Sequence, residues 1–272
     1  MTFNQFKFYI QANWIKTLYV NFKLLPFKDA VKCPILIFGR CFTQISDDAK
    51  VEFINGDISF ASVFIGNTSS AVWGFNIRPI NTSLIWNGLI TFSGKKQFIG
   101  NGSCINVAKG AHLYLGDHVI INNNVKLCCQ QRIHLDDRTG VSWECQVFDT
   151  NFHYLVDENG HVGHKSGCIH IGKNCWIGNR VTIQKGTVLE DDSTVASNSL
   201  INKDFSGIKY GLFAGSPAKL LKTGMLRSRN YALEYKLDDY FATYPEISVV
   251  EVDLEAAKKF FDFDNLDIKP IK

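Results

Sequence analysis

The stretch IGKNCWIGNRVTIQKGTVLEDDSTVASNSLINK, residues 171–203, repeats with a period of six residues. An Ile, Leu or Val stands at every sixth position from its start, namely at Ile171, Ile177, Ile183, Leu189, Val195 and Ile201. An α-helix repeats about every 3.6 residues and a strand about every two, so neither gives this spacing alone. A period of six instead predicts a short strand followed by a corner, repeated along the chain.

Three such sides close a triangular coil of about 18 residues, with the large aliphatic residues stacked inside it. Gly and Asn tolerate positive φ and therefore suit the tight corners. Successive coils hydrogen-bond to each other at about 4.8 Å. The sequence thus predicts an all-β fold, a parallel β-helix with its hydrophobic core along the axis. The alternative is a sandwich, but sandwich strands do not repeat at one fixed spacing.

Hexads recur upstream in other phases, beginning at Ile99 and Ile105, at Leu115, Ile121 and Leu127, and at Leu135, Val141 and Val147. The phase is irregular over about residues 50–98, and the period is lost between Val147 and Ile169. We therefore predict an N-terminal cap with a short helix over 1–48, a β-helix domain over 49–224 and a helical C-terminal extension over 225–272. An irregular insertion in a solenoid often carries function, so we expect an active-site loop at about 148–170.

The 272-residue chain holds 29 Lys and Arg against 26 Asp and Glu, a net charge of +3 with a pI of 8.3. This charge is too mild for a dedicated nucleic-acid-binding domain, whose pI usually exceeds about 9. The apolar content of 46% allows a buried core, and no apolar run approaches the roughly 18 residues of a membrane span. The first residues lack the apolar segment of a secretion signal, and the eight cysteines lack metal-finger spacing. We therefore expect a cytoplasmic protein with reduced thiols.

Residues 175–222, CWIGNRVTIQKGTVLEDDSTVASNSLINKDFSGIKYGLFAGSPAKLLK, resemble the C-terminal signature of the hexapeptide-repeat acyltransferases. The resemblance extends over about residues 95–222, and residues 13–38 resemble the start of the capsular-polysaccharide O-acetyltransferases of that family. It implies a left-handed β-helix, a triangular prism that associates as a homotrimer and takes its acyl group from acyl-CoA. In such a trimer the loop of one subunit faces a donor groove shared with its neighbour.

The stretch without the period holds four His residues and includes Asp149, Asn151 and His153. The resemblance implies that His153 is the general base, which takes the proton of an acceptor hydroxyl as the oxygen attacks the thioester. Imidazole suits this role because the free side chain, with a pKa of about 6.5, is mostly neutral at pH 7. Asp149, Asn151 or Glu144 could orient the ring, and the sequence does not choose between them.

The resemblance also implies an asparagine that contacts the acceptor on a coil before the histidine. Asn122 matches that place best, and Asn124 is the second candidate. A side-chain amide can both donate to and accept from a sugar hydroxyl. The alternative is that these asparagines only occupy a left-handed corner of the coil.

Residues 203–229 hold six basic residues against Asp204 alone, a patch suited to the phosphates of coenzyme A. A merely solvated basic face is the alternative. The resemblance implies that acetyl-CoA, the acyl donor, contacts Gly178, Asn179, Ser197, Asn202, Lys203, Lys219 and Lys222. Two departures bear on affinity and acyl length: Asn202-Lys203 replaces the usual Thr-Lys pair, and VASNS at 195–199 stands where VGAGS is common.

Together these features predict an acetyl-CoA-dependent O-acetyltransferase that acts on a sugar of a surface polysaccharide, with no metal. This route needs no acyl-enzyme, so Cys145, Cys168 and Cys175 need not be nucleophiles. Transfer to an amino sugar is the alternative within the same fold. A zinc hydratase would use His118 and His153 but lacks the third ligand shortly after His153. A non-catalytic scaffold would not bind acetyl-CoA.

Asn13 is placed to cap a helix that runs to about Leu25, with Trp14, Leu18 and Phe22 at helical spacing. This helix either covers the open end of the β-helix or contacts a membrane surface peripherally, near a lipid-linked glycan. At the other end, LEAAKKFFDF, residues 254–263, predicts a short amphipathic helix without chemistry of its own.

Overall fold

A computed structural model describes residues 8–67, 81–259 and 268–270. The chain divides into two compact units, Met1–Met225 and Leu226–Lys272. Besides the helical residues 8–10, the described helices are α1 (Trp14–Leu24) and α2 (Phe27–Ala30) in the first unit, and α3 (Tyr231–Thr243) and α4 (Leu254–Lys258) in the second. None of these helices is long and apolar enough to cross a membrane.

The strands described in the first unit form three sheets, and each sheet is one face of a coil. The first face holds β1 (Ile35–Ile37), β4 (Val63–Asn67), β7 (Gln97–Gly100), β10 (Ile120–Ile121), β13 (Gly140–Val141), β16 (Trp176–Ile177), β19 (Thr194–Val195), β21 (Leu212–Gly215) and β22 (Ala218–Lys222). The second face holds β2 (Cys41–Ile45), β5 (Thr82–Trp86), β8 (Cys104–Val107), β11 (Lys126–Cys129), β14 (Gln146–Phe148), β17 (Thr182–Gln184) and β20 (Leu200–Ile201). The third face holds β3 (Lys50–Ile54), β6 (Leu89–Ser93), β9 (His112–Leu115), β12 (Arg132–Leu135), β15 (Ile169–Ile171) and β18 (Val188–Leu189).

Neighbouring strands on these faces pair in parallel, except that β22 runs antiparallel to β21. Each coil lies in register on the next, so that Val141, Ile177 and Val195 form one inward ladder on the first face. The residues of the six-residue repeat are at most 2% exposed: Ile99, Ile105, Leu115, Ile121, Leu127, Leu135, Val141, Val147, Ile171, Ile177, Ile183, Leu189, Val195 and Ile201. The predicted parallel β-helix is confirmed.

The coils are longer near the start of the chain. On the first face, 18 residues separate Ile177 from Val195, whereas 34 separate Ile65 from Ile99. Early strands such as β5 and β6 have five residues and enclose the large side chain of Trp86, which explains why the period fades upstream. The first parallel strand begins at Ile35, so coil strands also occur within residues 1–48.

The face of α1 that meets the β-helix carries the polar Thr17 and Asn21 beside the buried Val20. The Asn21 side chain accepts from the Ile35 N–H at 3.2 Å and donates to the Ile35 carbonyl oxygen at 2.7 Å. The Thr17 hydroxyl oxygen accepts from the Ile37 N–H at 3.0 Å. These bonds satisfy backbone groups on the outer edge of β1, so α1 covers the open end of the coil.

The predicted N-terminal helix is confirmed, since Asn13 caps α1 by accepting from the Lys16 N–H at 3.1 Å. The predicted apolar positions lie on its outer side instead of against the coil. Large apolar side chains of α1 are exposed there: Trp14, Ile15, Leu18, Tyr19 and Phe22. This arrangement follows because the coil end offers unpaired backbone groups, which need polar partners.

In the second unit, Asn230 joins the two helices. Its side-chain oxygen accepts from the Leu233 N–H at the start of α3, and its amide nitrogen donates to the Ala256 carbonyl of α4 at 3.0 Å. The strands β23 (Val250–Val252) and β24 (Ile268–Pro270) pair antiparallel. Of the helix predicted over 254–263, α4 is present, and residues 260–263 lie outside the described part of the chain.

Candidate active site

The β-helix is interrupted between β14 and β15 by an excursion, residues 149–168, here called the arm. It occupies the stretch in which the sequence loses its period. Two antiparallel bridges hold the two sides of the arm together, Thr150–Ser166 and Val156–Val162. The arm leaves the coil at the edge where the chain passes from the second to the third face, here called the second edge.

Asp149 fixes the base of the arm. Its buried carboxylate accepts the backbone N–H groups of Gln130 at 2.7 Å, Gln131 at 2.7 Å and Arg132 at 2.8 Å. These three amides form the corner that leads into β12. Asp149 makes no hydrogen bond to His153, so it positions the arm and is not the partner that orients the imidazole.

A sharp turn presents His153 at the surface. Phe152 adopts a left-handed φ of +62°, and its N–H donates to the Thr150 hydroxyl oxygen at 3.0 Å. The His153 N–H donates to the Asn151 carbonyl at 2.7 Å. Both side chains, His153 and Asn151, are exposed, and neither forms a hydrogen bond to another described residue. The ring nitrogens of His153 are therefore open to a ligand.

His153 borders a cleft of about 470 Å³ between the arm and the second face, here called the arm cleft. From the arm it is lined by Thr150, Asn151, Phe152, His153 and Leu155, and from the second face by Gln146, Phe148, Thr182 and Gln184. The cleft thus places an imidazole beside amide and hydroxyl groups that can hold a polar acceptor.

The sequence analysis missed the three polar residues of β14 and β17 that line the arm cleft. Gln146 precedes the inward Val147, and Thr182 and Gln184 flank the inward Ile183. Side chains alternate along a strand, so these neighbours of inward residues point away from the core. The hexad register together with the position of the arm would have identified them.

Asn122 and Asn124 lie at the edge between the first and second faces, here called the first edge. Asn124 has a φ of +58°, and its N–H donates to the Asn101 carbonyl at 3.0 Å, as expected of a corner asparagine. Glu144 occupies the equivalent corner one coil further, with a φ of +62°. None of the three lines the arm cleft, so a single chain does not bring them to His153.

The first edge also carries Gly178, Asn179 and Ser197. The Ser197 hydroxyl donates to the Asn179 side-chain oxygen across adjacent coils. A Cβ on Gly178 would stand 2.7 Å from the Val195 carbonyl oxygen and 2.8 Å from the Ser197 nitrogen. Gly178 is therefore required by the close approach of the next coil.

The remaining residues expected at the donor lie elsewhere on the β-helix. Asn202 and Lys203 follow β20 on the second edge, the same edge as the arm. Lys219 and Lys222 belong to β22, where both are exposed. These three lysines form no ion pair with another described residue. The expected donor residues are thus divided among separate parts of one chain.

The cysteines of the coil are poor nucleophiles. All eight are free thiols. Burial raises the pKa of Cys145 to about 11 and that of Cys175 to about 12. The Cys145 thiol donates to the Gly178 carbonyl at 3.0 Å. A thiol is reactive only as thiolate, so these side chains serve packing, and Cys168 alone among the eight is exposed.

A second cleft of about 430 Å³ lies at the third edge, between the third and first faces. Its lining includes Tyr114, Asp117, His118, Asp136, Asp137 and Lys173. His118 pairs with the Asp117 carboxylate at 2.8 Å. His118 and His153 therefore lie at different edges of one chain, so a single chain does not assemble the zinc pair considered above.

The solved structures that are similar to this chain include hexapeptide-repeat acetyltransferases. VCA0836 of Vibrio cholerae is 27% identical with a TM-score of 0.36, over 41% of this chain and 62% of that protein. The polysialic acid acetyltransferase NeuO is 18% identical with a TM-score of 0.44, over 75% and 93% of the two chains. The alignment spans less than two thirds of the Vibrio cholerae protein.

Comparison with family profiles and curated sequences defines the family. The bacterial transferase hexapeptide (six repeats) family matches residues 168–203. The carnitine operon protein CaiE of Escherichia coli K12 is 31% identical over 143 residues, which cover 50% of this chain and 70% of that protein. CaiE of Salmonella agona is 30% identical over 143 residues, with 50% and 69% covered. The chain belongs to the bacterial hexapeptide-repeat transferases, and its fold is a left-handed parallel β-helix.

Proposed function

We propose that the protein is an acetyl-CoA-dependent O-acetyltransferase whose acceptor is a sugar hydroxyl of a surface polysaccharide or its precursor. The observation that carries this proposal is the exposed His153 ring, free of hydrogen bonds to described residues, at the arm cleft. Membership of a transferase family supports group transfer as the reaction class. The amide and hydroxyl groups of Gln146, Thr182 and Gln184 suit a polyhydroxylated acceptor.

In this mechanism the acceptor attacks the thioester directly. A ring nitrogen of His153 takes the hydroxyl proton while the acceptor oxygen forms a bond to the acetyl carbonyl carbon. The tetrahedral intermediate then collapses, the carbon–sulfur bond breaks, and the leaving thiolate of coenzyme A takes the proton from the imidazolium. The products are the acetyl ester and free coenzyme A. The raised pKa of Cys145 and that of Cys175 support a route without an acyl-enzyme.

We assign the donor acetyl-CoA to a groove formed by the first and second edges. Gly178, Asn179 and Ser197 offer a narrow corner with polar Asn179 and Ser197 side chains, against which the pantetheine arm can lie. Lys203, Lys219 and Lys222 supply positive charge for the phosphates. The proposal keeps acetyl as the acyl group.

A homotrimer would bring the two edges together. The arm exposes apolar side chains that a neighbouring subunit would cover: Phe152, Tyr154, Leu155, Val156 and Val162. In a three-fold ring each interface joins one surface of a subunit to a different surface of the next. The second edge of one subunit, with the arm, would then face the first edge of its neighbour, with Gly178, Asn179 and Ser197.

We assign the enzyme to the cytoplasm, with peripheral contact to the membrane through α1. Trp14 and Tyr19 suit a membrane interface, since their rings have an apolar body and a polar group. Lys16 and Lys28 add positive charge, which attracts anionic lipids. The fraction of protein that sediments with anionic vesicles should be lower for the double variant Trp14→Ser, Phe22→Ser than for the wild type. Equal binding of the variant and the wild type would exclude α1 as the membrane contact.

The decisive assay follows thiol release from acetyl-CoA with a panel of sugars, nucleotide sugars and oligosaccharides. An O-acetyltransferase gives a product that gains one acetyl group and loses it in hydroxylamine, because hydroxylamine cleaves esters. An amide product, which resists hydroxylamine, would instead establish the alternative, an N-acyltransferase on an amino sugar. No thiol release with any acceptor, together with no binding of acetyl-CoA, would reject both.

A further inference from the structure

Two histidines of neighbouring coils lie side by side on the outer surface of the third face. His134 of β12 pairs in register with His170 of β15 and, on the other side, with Tyr114 of β9. Adjacent strands of a sheet are about 4.8 Å apart, so outward side chains in register are close neighbours. Here the ring centroids of His134 and His170 are 4.9 Å apart, with the ring planes at 76°.

The shared partner is Asp136. It follows the end of β12, and its backbone N–H donates to the Ile171 carbonyl at 2.9 Å, which fixes it beside β15. One carboxylate oxygen stands 3.0 Å from Nε2 of His134 and the other 2.9 Å from Nε2 of His170. All three side chains present a ligand atom within 4.8 Å of the others. We call His134, Asp136 and His170 the third-face triad.

Packing holds the third-face triad in place. The Tyr114 ring stacks on the His134 ring with centroids 3.9 Å apart and planes at 15°. His134 and Asp136 are about four-fifths covered, whereas the His170 side chain is half exposed. Asp136 and Tyr114 also line the cleft at the third edge. The donor atoms are thus preorganised by the coil and reachable from solvent.

We propose that the third-face triad binds a divalent first-row transition metal such as Zn²⁺, through Nε2 of both histidines and the carboxylate of Asp136. Imidazole nitrogen and carboxylate oxygen are ordinary Zn²⁺ ligands at about 2.0–2.2 Å. Ligand atoms at those distances from one ion lie about 3 Å apart, and the two nitrogen–oxygen separations here are 3.0 and 2.9 Å. The cation replaces the two N–H···O bonds, with each imidazole proton held on Nδ1.

The charges and open space around the triad also suit a cation. Asp117 and Asp137 line the same cleft as Asp136. Lys173 pairs with Asp137 at 3.2 Å, and Lys95 is the other lysine lining the cleft. Three carboxylates therefore face two ammonium groups, and the remaining coordination positions of the metal would open into the third-edge cleft. The arm and His153 take no part in this site.

The test is titration of the chelator-treated full-length protein with Zn²⁺ by calorimetry. We expect one Zn²⁺ per chain, with affinity reduced more than about 100-fold in His134→Ala and in His170→Ala, beyond the loss typical of merely supporting partners. His161→Ala is the matched control, because His161 pairs with Asp157 at 3.1 Å in the arm without a second histidine. That variant should bind like the wild type.

Two further readouts separate the triad from other ligands. With Co²⁺ in place of Zn²⁺, a nitrogen and oxygen site gives no thiolate charge-transfer band, and Cys168→Ser should leave binding unchanged. Zn²⁺ should raise the melting temperature of the wild type and not that of Asp136→Asn. Binding that survives in His134→Ala and His170→Ala, binding lost in Cys168→Ser, or no binding by the wild type would each overturn the proposal, leaving Asp136 as a hydrogen-bonded bridge.

Discussion

Leu135 and Ile171 lie side by side in register on the third face, although 36 residues separate them in the sequence. The next step on that face, from Ile171 to Leu189, takes 18 residues. The arm therefore adds the length of a whole regular coil without shifting the inward ladder. An excursion of this kind can carry a reactive side chain while the core continues beneath it.

Asp149→Ala should destabilise the junction of the arm. The substitution removes three charge-assisted hydrogen bonds to the amides of residues 130–132, so the free energy of unfolding should fall by about 2–4 kcal/mol. Chemical unfolding followed by circular dichroism measures this loss. Asp157→Ala, at the exposed tip of the arm, is the control and should cost less than about 1 kcal/mol. Equal losses in both variants would contradict the role of Asp149.

Thiol labelling should distinguish Cys168 from the cysteines of the coil. At pH 8, a pKa of about 11 leaves about one Cys145 side chain in a thousand as thiolate, and burial blocks access as well. Labelling of Cys145 should accelerate as the pH rises toward its pKa. Peptide mass spectrometry should find Cys168 modified first. Rapid modification of Cys145 would contradict its burial, and its acetylation by acetyl-CoA would contradict direct attack on the thioester.

The double variant Lys219→Ala, Lys222→Ala should bind the donor acetyl-CoA more weakly than the wild type. The phosphates of coenzyme A lie far from the reacting carbonyl, so KM for acetyl-CoA should rise about tenfold while kcat stays within about twofold. Steady-state kinetics at saturating acceptor measures both. Lys109→Ala, which removes an exposed ion pair with Asp48, is the control and should leave KM unchanged. An unchanged KM in the double variant would assign the basic surface to another partner.

Hybrid trimers should reveal a site shared between subunits. His153→Ala removes the base on the second edge, and Ser197→Trp fills the donor corner on the first edge, so each variant alone should be inactive. Co-expression of the two should restore about a quarter of the wild-type activity, because about one interface in four then joins two intact edges. Circular dichroism checks that each variant folds. No recovery would mean that both edges of one chain serve the same site.

The sequence predicts the regular part of the fold and little of the side-chain network. Large aliphatic residues such as Val195 and Ile201 recur every six residues because each face of a coil has one inward position for such a side chain. This period is visible in the sequence. The role of Asp149 leaves no such trace, since it bonds to backbone amides, which every residue has. For Asn124 the sequence allows two roles, contact with the acceptor or a left-handed corner of the coil. The φ of +58° at Asn124 fits the corner role.

The arm also explains why the third-face triad escaped the sequence analysis. His134 and His170 stand 36 residues apart, a spacing that suggests two coils, yet they are neighbours on adjacent strands. Only the register across the arm shows that one regular coil and one excursion separate them. Gln146 and Gln184, by contrast, follow from the hexad register and the position of the arm, because they stand next to the inward Val147 and Ile183.

The most direct test of the account is the turnover of His153→Ala with acetyl-CoA and an acceptor found by the thiol-release screen. Because His153 is exposed and makes no side-chain hydrogen bond to a described residue, the variant should fold like the wild type. Its kcat should fall about 10²–10⁴-fold, the usual effect of losing a general base, while His161→Ala should keep full activity. Near-normal turnover by His153→Ala would contradict the central claim that this imidazole takes the acceptor proton.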